Sequence, residues 1–145
     1  MEGLSSLYNK IKEFSTNHGM VNEFVFARNE QELRNRQFEY RTIVLMPVES
    51  NISRDLNSPI YTIDFSLVVL DRAIYDNDDN AVSVIEENIF VIGQLQDFLI
   101  KENYSVEFED IDIMTINDDN YSVSSAIGNF SVQLSRKPYV MDTNN

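Results

Sequence analysis

The chain has 145 residues, an ordinary apolar content of 43%, no cysteine and a formal net charge of −13, which together predict one domain with a packed core rather than disorder. The composition excludes disulfides, thiolate chemistry and cysteine-based zinc sites, and no apolar run approaches the roughly 20 residues that cross a bilayer as a helix. Met1-Glu-Gly-Leu-Ser-Ser lacks the basic and apolar regions of a signal peptide, so folding inside a cell is the expectation.

The acid is unevenly placed. Residues 1–72 carry ten acids and eight bases, whereas residues 73–135 carry thirteen acids and one base, Lys101. Such a surface repels phosphate, so backbone binding to nucleic acid through Lys and Arg is not expected. It suits a wall past which DNA slides without being held, and it also suits plain solubility.

In chain order, Leu4, Leu7, Tyr8, Ile11 and Phe14 repeat at helical spacing and predict a short helix over Leu4 to Ser15, with Asn17-His18-Gly19 as a left-handed stop. Val21 to Arg28 reads as a strand, with Phe24 and Phe26 opposite Val25. Asn29 to Arg41 has weak periodicity and mixed charge, consistent with a loop or a polar helical turn. Tyr40 to Val48 is a strand that Pro47 closes or places at an edge. A polar connection, Asn51 to Pro59, leads into a long strand, Ile60 to Asp71, with Ile63, Phe65, Leu67 and Val69 on one face and Thr62, Asp64 and Ser66 on the other.

The stretch Asn80 to Glu102 predicts a long helix. Val82, Ile85, Ile89, Ile92, Leu95 and Leu99 fall together on the wheel, flanked by Val84, Val91 and Phe98, an arc of roughly 200°. That width implies cover beyond the sheet, from the first helix or a neighbouring subunit. Phe90 stands alone on the polar face. Two more strands, Tyr104 to Ile116 and Tyr121 to Ser135, form a hairpin through Asn117-Asp-Asp-Asn120. Both change apolar phase, which predicts bulges near Glu109-Asp110 and near Gly128. Residues 136–145 read as a C-terminal arm. The resulting expectation is one α+β domain over 1–145: a mixed, mostly antiparallel sheet packed against one long helix and a shorter N-terminal one.

Asp76, Asp78, Asn80 and Glu87 match the first, third, fifth and twelfth ligand positions of a calcium-binding EF-hand loop. Ala81 replaces the glycine that the turn requires, and a strand rather than a helix leads in. A helix N-cap explains Asp78, Asp79 and Asn80 more simply. His18 has no cysteine or second histidine to work with, and no glycine-rich phosphate loop exists among four glycines. The expectation is a protein that is not an enzyme and holds neither cofactor nor metal. Arg34, Arg36, Phe38, Tyr40 and Arg41, together with Phe90, have the composition enriched at protein interfaces; equally, Phe38 and Tyr40 begin a core strand and the arginines solvate it.

The strand Tyr40-Arg-Thr-Ile-Val-Leu-Met-Pro47, the strand Ile60-Tyr-Thr-Ile-Asp-Phe-Ser-Leu-Val-Val-Leu-Asp-Arg72 running through an Asp/Asn turn into a helix ending Leu95-Gln-Asp-Phe-Leu99, and the closing Asn129-Phe-Ser-Val-Gln-Leu134 resemble the tail-terminator and neck proteins of tailed bacteriophages, also called tail-completion or head–tail joining proteins. The resemblance covers nearly the whole chain as a pattern of elements. It implies a structural virion protein of the tail or neck, assembled in the host cytoplasm, whose copies form a hexameric ring. That ring would cap the tail tube, meet the head connector and other tail proteins, and let DNA pass without specific binding; no membrane is involved. In this reading the Arg-rich 29–41 segment and the acidic second half are complementary patches. Another connector, tail-sheath or baseplate component, or a non-viral adaptor, is the alternative.

Overall fold

A computed structural model describes residues 3–34, 36–48, 60–74, 76–117 and 121–135. Its elements are α1 (Leu4–Asn17), β1 (Glu23–Phe26), a 3-10 turn (Glu30–Leu33), β2 (Thr42–Pro47), β3 (Ile60–Ile74), α2 (Asp78–Lys101), β4 (Ser105–Asn117) and β5 (Tyr121–Ser135). The strands form one sheet in the order β1-β2-β3-β5-β4, parallel between β1 and β2 and antiparallel elsewhere. The protein is therefore α+β, with the mixed sheet and the two helices that the sequence predicts. The connection at Asn51–Pro59, the Asp118-Asp119 turn and the 136–145 arm lie outside the described residues.

Period-two alternation decides what the sheet buries. Phe65, Leu67 and Val69 of β3 and Phe130, Val132 and Leu134 of β5 point to the face that carries both helices, where they meet Leu7 and Ile11 of α1 and Val91, Ile92, Leu95 and Leu99 of α2. A stack of three rings runs across the strands there: Phe65 to Phe130 at 5.6 Å and Phe130 to Phe108 at 4.9 Å between centroids. On the other face Val25, Ala27 and Val44 form a smaller cluster packed against Leu33 and Phe38. The described residues of 29–41 thus form a lid over β1 and β2 through Leu33 and Phe38, and the 3-10 turn starts where the Asn29 side chain accepts the Glu32 backbone N–H.

Helix boundaries follow from local chemistry. Asn77 caps α2 by accepting the Asn80 N–H at 3.0 Å, while Asp78 and Asp79 occupy the positive end of its dipole. The cap is therefore one residue earlier than expected. Asn80 accepts the Ile74 N–H at 2.6 Å, which ties the end of β3 to the first helical turn. The C-terminus is a Schellman motif: Asn103 takes the left-handed conformation (φ 66), its N–H bonds to Ile100 O and that of Tyr104 bonds to Leu99 O.

Two expectations fail here. The α1 stop is not left-handed, because His18 is extended (φ −81, ψ 122) and neither it nor Gly19 has positive φ. The turn is made instead by the imidazole, whose Nδ1 accepts the Met20 N–H. Nor does β5 bulge near Gly128: its register with β3 is unbroken from Tyr121 to Ser135. The expected bulge in β4 is present between Phe108 and Ile111, where Glu109 and Asp110 together oppose Asn129. The apolar phase of β5 changes because α2 comes close over Ser124, Ala126 and Gly128. A Cβ on Gly128 would already touch Ile92 Cγ2 at 3.4 Å, so small residues take the helix side and Val123 and Ile127 the other.

Candidate functional site

The most polar spot in the core is built on Arg41. The residue precedes β2, its backbone O accepts the Asn22 N–H at 2.8 Å, and only 4% of its surface is exposed. Its Nε donates to Asn88 Oδ1 at 2.9 Å, and Nη2 reaches Glu87 Oε2 at 2.5 Å and Asp71 Oδ2 at 3.0 Å. Asn88, itself fully buried mid-helix, passes the chain on by donating to Ser124 O at 3.1 Å. One guanidinium thus joins β2, β3 and α2 directly, and β5 through Asn88. A buried charge persists only when paired and hydrogen-bonded, and these partners meet that condition. Arg41 is a structural tie and not part of an exposed patch, which corrects its assignment to a subunit interface.

The other interface candidates separate into two surfaces. Arg36 lies 3.7 Å from Glu23 and stacks 5.8 Å over Phe38, which is half-buried beneath the lid and stands 6.1 Å from Tyr40. Tyr40 in turn lies under Arg72 at 5.3 Å. Arg34 is exposed on the rim of a groove shared with Arg28, Met46 and Pro47. All of these belong to the lid or to its border, whereas Phe90 is on α2, across the sheet. It is 57% exposed and lines a shallow groove with Met20, Ser83 and Gln94. The six residues do not form one patch. At the edge of the lid the Glu32 carboxylate is held below the usual range, first by the Arg28 backbone N–H and then by its side chain.

The calcium arrangement is excluded by geometry. The helix begins at Asp78, so Asp78 and Glu87 are separated by nine helical residues, a rise of roughly 13 Å. Glu87 is taken by Arg41 and Asn80 by Ile74. Among the described residues no three His, Cys, Asp or Glu side chains gather as a metal site would require.

What stands out on the surface is apolar. Viewed down α2 at 100° per residue, Glu87, Gln94 and Phe98 lie on one side of Asn88, and Val82, Ile85 and Ile89 on the other. The first side is closed: Glu87 meets Arg41, Gln94 meets the His18 Nε2 at 2.5 Å and Phe98 packs 5.5 Å from Phe14. The second side looks toward β4 and is open, with Val82 62% exposed and Ile85 and Ile89 half-buried. The last strand of the sheet continues this band. Ile111 and Ile113 pair with Gly128 and Ala126, which face α2, so both isoleucines share that face, and Ile113 is 51% exposed. Glu107, Glu109, Asp110 and Asp112 stand along the same strand. The sequence signalled half of this band in the excessive width of the α2 arc. Ile111 and Ile113 were hidden, because their edge position depends on strand order.

No protein-family model matches the sequence, and no curated protein matches it.

Proposed function

We propose that the protein is a structural subunit that closes into a ring around a path for DNA, as the tail-terminator and neck proteins of tailed phages do, and that it carries no catalytic site. The observation behind this reading is the open apolar band made by Val82, Ile85, Ile89, Ile111 and Ile113. A chain this acidic has charge to spare for solubility, and a band of this kind at a sheet edge marks a surface built to be covered. The acid of the second half suits a lumen that repels the phosphate backbone. The fold supports the same reading, since its two edge strands leave two different surfaces per copy, the requirement for a heterologous contact that closes.

Native mass measurement with negative-stain imaging of the purified chain tests this directly. Closed rings with a central opening are the expected result. A chain that stays monomeric at high concentration would overturn the proposal and favour an adaptor that acts as a single copy.

A further inference from the structure

Beyond the ring reading and independently of it, we infer that the outer ridge of α2 docks a basic amphipathic helix from a different protein. At 100° per residue, Asp79, Glu86, Phe90, Gly93 and Asp97 fall opposite the buried Asn88, in one stripe between the closed side of the helix and the open one. Phe90 projects from the middle of the stripe, more than half exposed, and Met20 of the α1–β1 turn lines the same groove, also exposed. A methionine beside an aromatic ring adapts readily to an incoming apolar side chain. Gly93 supplies the second observation. Inside a helix, glycine is the poorest choice apart from proline, and nothing within this chain asks for one here, since a Cβ at Gly93 would meet no atom within 4 Å. The bare backbone beside Phe90 instead lets an outside element approach closely. That element must satisfy its own backbone groups, because the outer face of a helix offers no free N–H or C=O, and a helix does so.

Charge selects the partner. Asp79, Glu86 and Asp97 are exposed and have no ion-pair partner among the described residues. Nearby cations do not offset them: Arg41 is buried beneath and held by Glu87 and Asp71, and on α2 itself Lys101 alone stands at the C-terminal end of the stripe. A second copy fits less well. Laid antiparallel across Phe90, it would match Asp79 with Lys101, but it would also bring Glu86 within one turn of the copy's Asp97 on both sides, and each copy carries −13. A helix whose apolar face is bordered by lysine or arginine meets both Phe90 and the three carboxylates.

The probe is a synthetic helix of about 20 residues, long enough at 1.5 Å per residue to span the stripe, with leucine along one face and lysine elsewhere. A leucine/glutamate peptide of the same pattern is the control. Added to the intact 145-residue chain, the lysine peptide should shift the backbone amide resonances of residues 79–97 and of Met20, and the glutamate peptide should shift none. By fluorescence anisotropy of the labelled lysine peptide, Phe90→Ala should weaken binding by roughly tenfold or more, and Glu86→Gln/Asp97→Asn should weaken it and flatten its salt dependence. Gly93→Ala is the sharpest variant: the melting temperature of the free protein should rise, while affinity for the peptide falls by roughly threefold or more. Binding that either Phe90→Ala or Gly93→Ala leaves unchanged follows charge alone and would overturn the inference. A smaller assembly mass for Phe90→Ala without peptide would overturn it in favour of a second copy, and shifts at residues 136–145 in that free variant would do so in favour of the chain's own C-terminal segment. Rings that form normally but ignore the lysine peptide would overturn the docking site and leave the ring reading standing; a monomer that binds it would do the reverse.

Discussion

The two flanks of α2 follow opposite plans on one helix. Toward α1 and β2 three side chains find partners, Glu87 on Arg41, Gln94 on His18 and Phe98 on Phe14, and only Phe90, further round the helix, stands exposed among the apolar residues of that flank. Toward β4 the residues are no less apolar, yet Val82 stands in solvent and the strand below adds Ile111 and Ile113 to the exposed surface. Past the first turn, Gln96 is the one polar side chain among them, whereas Glu86 and Asp97 lie further round the helix. The closed flank spends its interactions on the stability of one copy, while the open flank contributes little to that stability and, on the ring proposal, is kept for contact with another.

Substitutions that separate these roles should differ in size. Replacing Arg41 by Met is expected to have the largest effect, about 3 kcal/mol in chemical denaturation, since it strips the partner from Asn88, Glu87 and Asp71 together. Asn88→Ala should cost about 2 kcal/mol by leaving Arg41 Nε and Ser124 O without their bonds. Because both residues sit in one network, the double variant should lose clearly less than the sum of the two. On the open flank, Val82→Ser and Ile113→Thr should change monomer stability by no more than about 0.5 kcal/mol while abolishing assembly in sedimentation experiments. A large loss of stability from either would show that the flank belongs to the core and break the comparison.

The smallest effect concerns the lid. Glu32 has a lowered pKa in the folded state, so its contribution to stability is present above the unfolded carboxylate value and fades as pH falls through the folded one. Glu32→Gln should therefore lower stability slightly at neutral pH and leave it unchanged at the acid end, so that the acid limb of a stability–pH curve becomes slightly flatter. A steeper acid limb in the variant would contradict the assignment.

Much of the fold was legible in the residue order because periodicity is a local signal. Leu4 to Phe14 and Val82 to Leu99 repeat at helical spacing, and Ile63 to Val69 alternates, so helices and strands emerge where apolar residues demand them. The bulge in β4 was also readable, since two consecutive acids interrupt an alternating pattern. What stayed hidden depends on tertiary placement. Arg41 looked like its exposed neighbours Arg34 and Arg36, and only the approach of α2 and β3 buries it. Asn88 carries no signal in the residue order, yet it lies at the centre of the buried face, where hydrogen bonds to Arg41 and Ser124 compensate its burial. The phase change of β5 mimicked a bulge because small residues under a close helix invert the usual apolar pattern. The calcium spacing was an accident of cap chemistry: Asp and Asn near a helix start serve its free amides, and Glu87 lies on the third turn to meet Arg41.

Amide hydrogen exchange as a function of protein concentration tests the central claim most directly, because it reads the two flanks of α2 and both sheet edges in one experiment. As copies assemble, the outward amides of β4 around Ile111 to Met114 should become strongly protected, while the amides near Arg41 and Asn88 stay at one protected level throughout. Rapid exchange along β4 that does not change with concentration would contradict the account.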